Sequence, residues 1–212
     1  MMPDLSVYLG AIEQELRRVL AIPAGGPTPL YQMMQYHMGW LDRRFQPYQG
    51  RPGKRLRPLM CLLACEAVGG EWEQALPAAA GLELLHNFSL IHDDIEDNSD
   101  TRRGRRTVWS LWGLAQGINT GDVLWALSRL AVLRLRDKDH SPATVLRAAT
   151  LLEEASLALC SGQYLDISFE ARPLVPLAEY ERMIAGKTAA LISASMALGA
   201  LLGGADEATE NT

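Results

Sequence analysis

Between positions 86 and 106 the sequence reads His-Asn-Phe-Ser-Leu-Ile-His-Asp-Asp-Ile-Glu-Asp-Asn-Ser-Asp-Thr-Arg-Arg-Gly-Arg-Arg. Five carboxylates fall within eight residues (Asp93, Asp94, Glu96, Asp97 and Asp100), and four arginines follow at once. An acidic cluster at the C-terminal end of a helix opposes the macrodipole, which favours cations there. Something positive must therefore compensate it. The arginines could do so, or a divalent metal that brings a phosphorylated substrate with it. On a helix, Asp93 and Asp97 stand one turn apart with Asp94 beside them. Carboxylates so spaced can hold Mg²⁺, which accepts one or two of them and completes its shell with water and phosphate oxygens.

Other groups of matching charge lie elsewhere in the chain. Lys54 and Arg57 are three residues apart, a spacing that would place them on one face at the start of a helix, where backbone N–H groups also favour an anion. His86, Ser89, Asp93 and Asp97 follow spacings of three, four and four along an otherwise apolar helix. A polar seam on a buried helix needs partners, which makes it the wall of a polar cavity. Gln163 and Asp166 share a face of one later helix, and Lys187-Thr188 follow a glycine in another. Cations from several separate places, set against one acidic cluster, suit a site for two phosphorylated groups.

The elements that must carry these groups read as helix after helix. Strand alternation is scarce, and Ala and Leu outnumber β-branched residues. Asp4 or Ser6 caps a first helix running to about position 20. A Gly/Pro-rich break precedes a second helix over 30–45, whose methionines read as core filler. A third helix starts at the Lys54/Arg57 stretch and stops at Gly69-Gly70. The central helix begins near Pro77 and runs to about Asp97. A short helix with Trp109 and Trp112 follows, then a break over 117–121 and a helix over 122–136 with Leu124, Leu127, Leu130 and Leu133 inward. Ser141-Pro142 opens a long helix to about Phe169. A last helix spans 177–202, its apolar part over 188–204 reading as a buried core helix and not a membrane span.

The chain has 212 residues, 48% hydrophobic, with a net charge of −5, which suits one globular domain over 1–212 and excludes a basic field directed at nucleic acid. Cys61, Cys65 and Cys160 are an odd number without zinc-like spacing, so reduced thiols in a cytoplasmic protein are expected, with Cys61 and Cys65 packed on one helix face. Residues 1–9 lack the pattern of a leader peptide.

The order Gly53-Lys54-Arg55-x-Arg57-Pro58, His86, Asp93-Asp94-x-x-Asp97, Arg102-Arg103-Gly104, Gln163-x-x-Asp166 and Gly186-Lys187-Thr188 resembles the trans-isoprenyl diphosphate synthases, the polyprenyl synthetase family. The resemblance implies an all-α isoprenoid synthase bundle around a central cavity, assembled as a homodimer. It implies a Mg²⁺-dependent prenyltransferase that ionises an allylic diphosphate, condenses it with isopentenyl diphosphate and eliminates a proton. By the same resemblance Asp93, Asp94 and Asp97 bind metal and the allylic diphosphate. Arg102 and Lys187 contact that diphosphate; Lys54, Arg57, His86 and Arg103 hold isopentenyl diphosphate; Thr188 and Gln163 line the reacting carbons. Arg102 and Arg103 are then substrate ligands and not structural counter-charges. Phe88, five residues before Asp93, stands where bulk favours a short product, geranylgeranyl or farnesyl diphosphate.

One element of the family pattern is missing. A second aspartate-rich motif is expected some tens of residues after Lys187, and the sequence stops at Thr212 without it; Asp206 and Glu207 do not have its spacing. The expectation is that this motif and the last helices of the bundle lie beyond the given sequence, and that the chain by itself has weak or no activity. Two other readings remain at this point. One is a non-catalytic or impaired subunit. The other is a class I terpene cyclase, which shares the aspartates but has no use for the Lys54/Arg57/His86 set. A metal phosphohydrolase suggested by His92-Asp93 lacks further histidines in a suitable context, and His92 reads as a packing residue.

Overall fold

The structure, a computed structural model, describes residues 4–48, 50 and 53–205. The order is α1 (Leu5–Val19), α2 (Thr28–His37), α3 (Leu56–Ala67), α4 (Leu76–Glu96), a two-residue hairpin β1 (Thr101–Arg102) and β2 (Arg105–Arg106), then α5 (Val108–Trp112), α6 (Leu114–Leu133), α7 (Pro142–Phe169), α8 (Leu177–Ile184) and α9 (Ala190–Leu202). The Asp4 side chain accepts from the Ser6 N–H and Ser141 Oγ from the Thr144 N–H, so both expected caps satisfy first-turn donors. Apart from that hairpin the described residues are all-α in character, as expected. The acidic tail with Asp206 and Glu207, residues 1–3, and part of the 46–53 loop lie outside the described residues.

α4 is central. Ala78, Ala79, Ala80, Leu82, Leu84, Leu85 and Ile91 are fully or almost fully buried, and the helix is clasped by α1, α3 and α6. α6 runs antiparallel beside it in a register set by side-chain size. A Cβ on Gly117 would strike Ile95, one on Gly121 would strike the His92 ring, and one on Gly81 of α4 would strike Val132. Phe88 and Trp125, both large, meet ring against ring in the same seam. Those glycines explain a difference from the sequence reading. The expected break over 117–121 is continuous helix, because the missing side chains admit α4 more closely and the packing gained outweighs the propensity lost.

Three further expectations need correction. α2 ends at His37 and not near position 45: Gly39 turns the backbone at φ 88° and the chain leaves in a loop closed by the Leu41–Pro47 bridge. Lys54 precedes α3 and is not on its first turn, since Arg55 sits in the left-handed region at φ 49°. Leu130 and Leu133 of α6 face outward, 57% and 45% exposed, while Leu124 is buried as expected. The methionine expectation holds for Met33, Met34 and Met38, and Cys61 and Cys65 share a buried face of α3.

From Leu177 to Leu202 the chain is one continuous helix of 26 residues, long and apolar enough by composition to cross a membrane. In this fold its second half is packed: Leu191, Ala194, Leu198 and Gly199 are buried, and Gly199 brings α9 against the Cys61 carbonyl of α3. Between α8 and α9 five residues, Ala185–Ala189, form a π-turn. Its cause is visible opposite. Gly162 of α7 and Gly186 touch backbone to backbone, and a Cβ on Gly162 would collide with the Lys187 N–H.

Candidate active site

A cavity of about 430 Å³ lies between α4, α7 and the π-turn, with the first turn of α3 at one end. Arg57, His86, Asp93 and Lys187 make its polar wall, and Phe88, Leu90, Leu159 and Ile167 its apolar one. Gln163 and Thr188 line the space between, and Gln163 Nε2 donates to Glu96 Oε2 at 2.7 Å. The π-turn puts Lys187 there: Lys187 Nζ bonds Asp166 of α7 and lies 3.3 Å from Asp93 Oδ1. π-turns interrupting a helix are frequent at functional sites, since they redirect side chains without ending the helix.

The acidic cluster resolves into three different environments. Asp93 faces the cavity and accepts from Arg102 Nη2 at 3.0 Å. Asp94, one residue on and thus about 100° around the helix, is turned inward and 2% exposed, with Arg102 Nε at 2.7 Å. Burial pushes its carboxyl up to about 6 despite the Arg102 guanidinium. Asp97 is the exposed C-cap of α4, its N–H donating to the Asp93 carbonyl; desolvation and the Asp93 carboxylate raise its pKa. The choice between arginine and metal is therefore corrected. Arg102 already is a counter-charge in this state, bridging Asp93 and Asp94.

The second set of cations is differently placed. Arg57 lies on the cavity wall beside His86, and burial lowers its pKa. Arg103 lies outside the main cavity but beside it, in a small recess of about 30 Å³ with His37, Asp94 and Arg102. Its guanidinium rests on Gly53, where a Cβ would come within 3.0 Å, so the Gly53-Lys54 loop and the Arg102-Arg103 hairpin touch. Lys54 is exposed and does not line the cavity. Burial, with Arg57 and Arg103 nearby, pushes His86 down to about 3, which leaves it neutral and able to donate one hydrogen bond. His37 is buried beside Arg103 and Arg102 and is likewise pushed down to about 3, chiefly by burial.

The polyprenyl synthetase family model, described by that name, matches residues 38–212. The chain belongs to the polyprenyl synthetase family. Over 217 aligned residues it is 42% identical to the geranylgeranyl diphosphate synthase of Mycobacterium tuberculosis, covering 96% of this chain and 61% of that one. To the (2E,6E)-farnesyl diphosphate synthase of Mycobacterium bovis it is 44% identical over 173 residues, 82% of this chain and 47% of the relative. The crystal structure of a polyprenyl synthetase from Streptomyces coelicolor superposes with a TM-score of 0.85 at 37% identity, over 98% of this chain and 58% of that one. The chain thus spans about half to three fifths of the relatives it matches.

Whether this polyprenyl synthetase chain fits Mg²⁺ depends on its donors. Among the described residues no three acidic, histidine or cysteine side chains are gathered into a cage. Asp93, Asp94 and Asp97 are not a preformed trio, because Asp94 is turned about 100° away from Asp93 and into the protein, where it is 2% exposed. Asp93 and Asp97 still offer hard carboxylate oxygens on one face, and their mutual repulsion, with Asp166 and Glu170 adding to it at Asp97, is what a cation would relieve. A metal bound mostly by water and phosphate needs no more than two such ligands. The residues fit.

Two functional elements escaped the sequence reading. Arg55, inside the basic motif, is 5% exposed and bonds Glu83 of α4 at 2.7 Å and Glu13 of α1 at 3.3 Å. This buried pair ties the loop that carries Lys54 and Arg57 to the central helix. The signal was Glu83 itself, a charge in the middle of a buried run, which demands a partner. Gly162 was the other; it fixes the π-turn, and no spacing rule marks it.

Proposed function

We propose that the protein is a trans-prenyltransferase that extends an allylic diphosphate with isopentenyl diphosphate. One observation carries the reading: Arg57 and His86, which have no ion pair among the described residues, share an apolar-floored cavity with Asp93 and Lys187. A cyclase or a hydrolase of one diphosphate has no use for the first pair.

In this reading the isopentenyl diphosphate lies against Arg57 and His86, with Lys54 and Arg103 closing in from the touching loops. The allylic diphosphate lies against Lys187 and Arg102, held by Asp93 and Asp97 through Mg²⁺, with Asp94 positioning Arg102. Bound Mg²⁺ would neutralise the charge that develops on the departing diphosphate. Lys187 and Arg102 add fixed positive charge at the same place, which costs no reorganisation during the reaction. The allylic C–O bond breaks, the terminal carbon of the isopentenyl double bond attacks the allylic carbon, and a proton leaves the adduct. The apolar wall keeps water from the cation, and Gln163 and Thr188 offer oriented dipoles beside it. Phe88, 9% exposed on the cavity floor, favours a short product of the geranylgeranyl or farnesyl class.

The proposed setting is a single catalytic domain, working as a homodimer in the cytoplasm. The outward Leu130 and Leu133 on α6 and Leu146 and Leu157 on α7, 45–71% exposed, support self-association. Sedimentation at twice the protomer mass is expected; a monomer at micromolar concentration contradicts it. The catalytic reading is tested by Asp93→Ala in the protein carrying this chain. Mg²⁺-dependent elongation should fall about a thousandfold, the loss expected when a main stabiliser of developing charge is removed. Turnover in the variant within a few-fold of the unmutated enzyme contradicts it.

A further inference from the structure

The hairpin that carries Arg102 and Arg103 has two residues to a strand, too few to hold its own shape. Its turn places Arg103 at φ 54° and Gly104 at φ 76°, the pair of left-handed residues of a type I′ turn. Across the strands Thr101 pairs with Arg106 and Arg102 with Arg105. Arg102 and Arg105 are therefore directly opposed, and like charges so placed destabilise a ladder. Each needs partners of its own. Arg102 has Asp93 and Asp94. Arg105 has no ion pair among the described residues and is held by different means. Its Nη1 donates to the Tyr36 carbonyl at 3.0 Å and its Nη2 to the Leu41 carbonyl at 2.7 Å. Its guanidinium carbon lies 4.0 Å from the Tyr36 ring centroid and 4.8 Å from that of Tyr48.

The stretch 36–48 that receives Arg105 is itself firmly tied. The Tyr48 N–H donates to the Trp40 carbonyl at 2.8 Å, and Asp42 Oδ1 accepts from the Arg44 and Gln46 N–H groups at 2.8 and 2.9 Å. Tyr36 Oη reaches back to the hairpin and donates to the Arg106 carbonyl at 2.7 Å. The same stretch leads toward the site: the Gly50 N–H donates to the Gly39 carbonyl at 3.1 Å, and the Arg103 guanidinium rests on Gly53. Arg105 itself lines the small recess and an outer groove of about 240 Å³, and not the main cavity.

We propose that Arg105 is a positioning residue that clamps the hairpin to the 36–48 stretch and so aims Arg103 at isopentenyl diphosphate, resting on the prenyltransferase reading of the cavity for the identity of that ligand. A guanidinium suits the task because it presents donors to two separate carbonyls while its flat face lies on aromatic rings; an ammonium cannot do both. Arg102 depends on this clamp far less, since two carboxylates hold its own guanidinium. Arg103 has no ion pair among the described residues, so its direction is set by the turn and the Gly53 contact alone. Loss of Arg105 therefore falls on one diphosphate site and spares the other.

In the protein carrying this chain, Arg105→Met should raise KM for isopentenyl diphosphate about tenfold and leave KM for the allylic diphosphate within about twofold. Equal rises in both would overturn the proposal. Arg105→Lys, which keeps the charge and one carbonyl bond, should fold well and still lose at least about threefold; wild-type affinity in both variants overturns the clamp. A mutant cycle separates aiming from mere support. By calorimetry without Mg²⁺ or turnover, Arg105→Met should weaken binding about tenfold in the wild type but less than about twofold in an Arg103→Gln background, where no guanidinium is left to aim. The same loss in both backgrounds overturns the proposal. Running the cycle with inorganic diphosphate as well as isopentenyl diphosphate keeps the two readings apart. A protein that binds the first and not the second contradicts the isopentenyl diphosphate reading, while the cycle on inorganic diphosphate still decides the role of Arg105. Binding of neither overturns both.

Discussion

The two ends of the cavity hold similar numbers of positive groups in opposite electrostatic conditions. At the Asp93 end, Arg102 and Lys187 are committed to carboxylates, Arg102 to Asp93 and Asp94, Lys187 to Asp93 and Asp166. At the other end, Arg57 and Arg103 have no ion pair among the described residues, and the histidines beside them are driven neutral. One end neutralises itself, and in the proposed function a charged ligand and its metal would exchange places with the internal pairs. At the other, Glu83 and Asp94 act on Arg57 and Arg103 only from beyond ion-pair distance, which leaves these cations open to an anion. Unpaired buried positive charge is costly. The buried Arg55–Glu83 pair helps bear that cost by pinning the loop that holds Arg57 in place.

The comparison can be broken at its support first. Arg55→Met leaves Glu83 buried without its cation and should cost about 3–5 kcal/mol of stability, read as a lower midpoint in denaturant. Arg55→Met/Glu83→Gln should recover most of that. An unchanged midpoint in the single variant would mean that the pair does not hold the loop.

The ends themselves should then respond in opposite ways. Arg102→Gln strips the buried Asp94 of its partner and should destabilise the protein by about 1–3 kcal/mol. Arg57→Gln removes a partly desolvated cation with no ion pair, so stability should not fall and should rise slightly if anything, while KM for isopentenyl diphosphate rises. Equal destabilisation by the two would erase the asymmetry.

The ends also differ in how they respond to pH. His37 and His86 have folded pKa values of about 3, below the unfolded 6.5. The unfolded chain therefore binds more protons in between, and their contribution, complete above pH 6.5, is lost as pH falls toward 3. Each histidine gives a slope of about 1.4 kcal/mol per pH unit in that window. Asp94 acts in the opposite sense. Its pKa is raised from 3.8 to about 6, so the folded state gains as pH falls from 6 to 3.8 and offsets one histidine there. Metal-free unfolding curves should show a shallow loss between pH 6 and 4 and a steeper one below. His86→Gln should flatten the upper part; an unaltered profile would mean that His86 titrates normally.

Much of this was legible in residue order. The caps at Asp4 and Ser141, the polar seam of α4 and the separated cations all follow from local rules, and the structure brings Arg57, His86, Asp93, Gln163, Lys187 and Thr188 to one cavity. What was not legible depended on a partner helix. Gly117 and Gly121 read as a break until α4 is seen lying against them, and Gly162 is silent until the π-turn crosses it. Lys54 left its expected helix because of a left-handed residue at Arg55, held there by Glu83 twenty-eight residues away. Asp94 separated from Asp93 because only one side of α4 faces the cavity.

The independence of the two ends is tested most directly by calorimetric titration of isopentenyl diphosphate in the absence of Mg²⁺. The account predicts binding by the unmutated protein, retained in Asp93→Ala and lost in Arg57→Gln. Binding that disappears with Asp93 and survives the loss of Arg57 would contradict it.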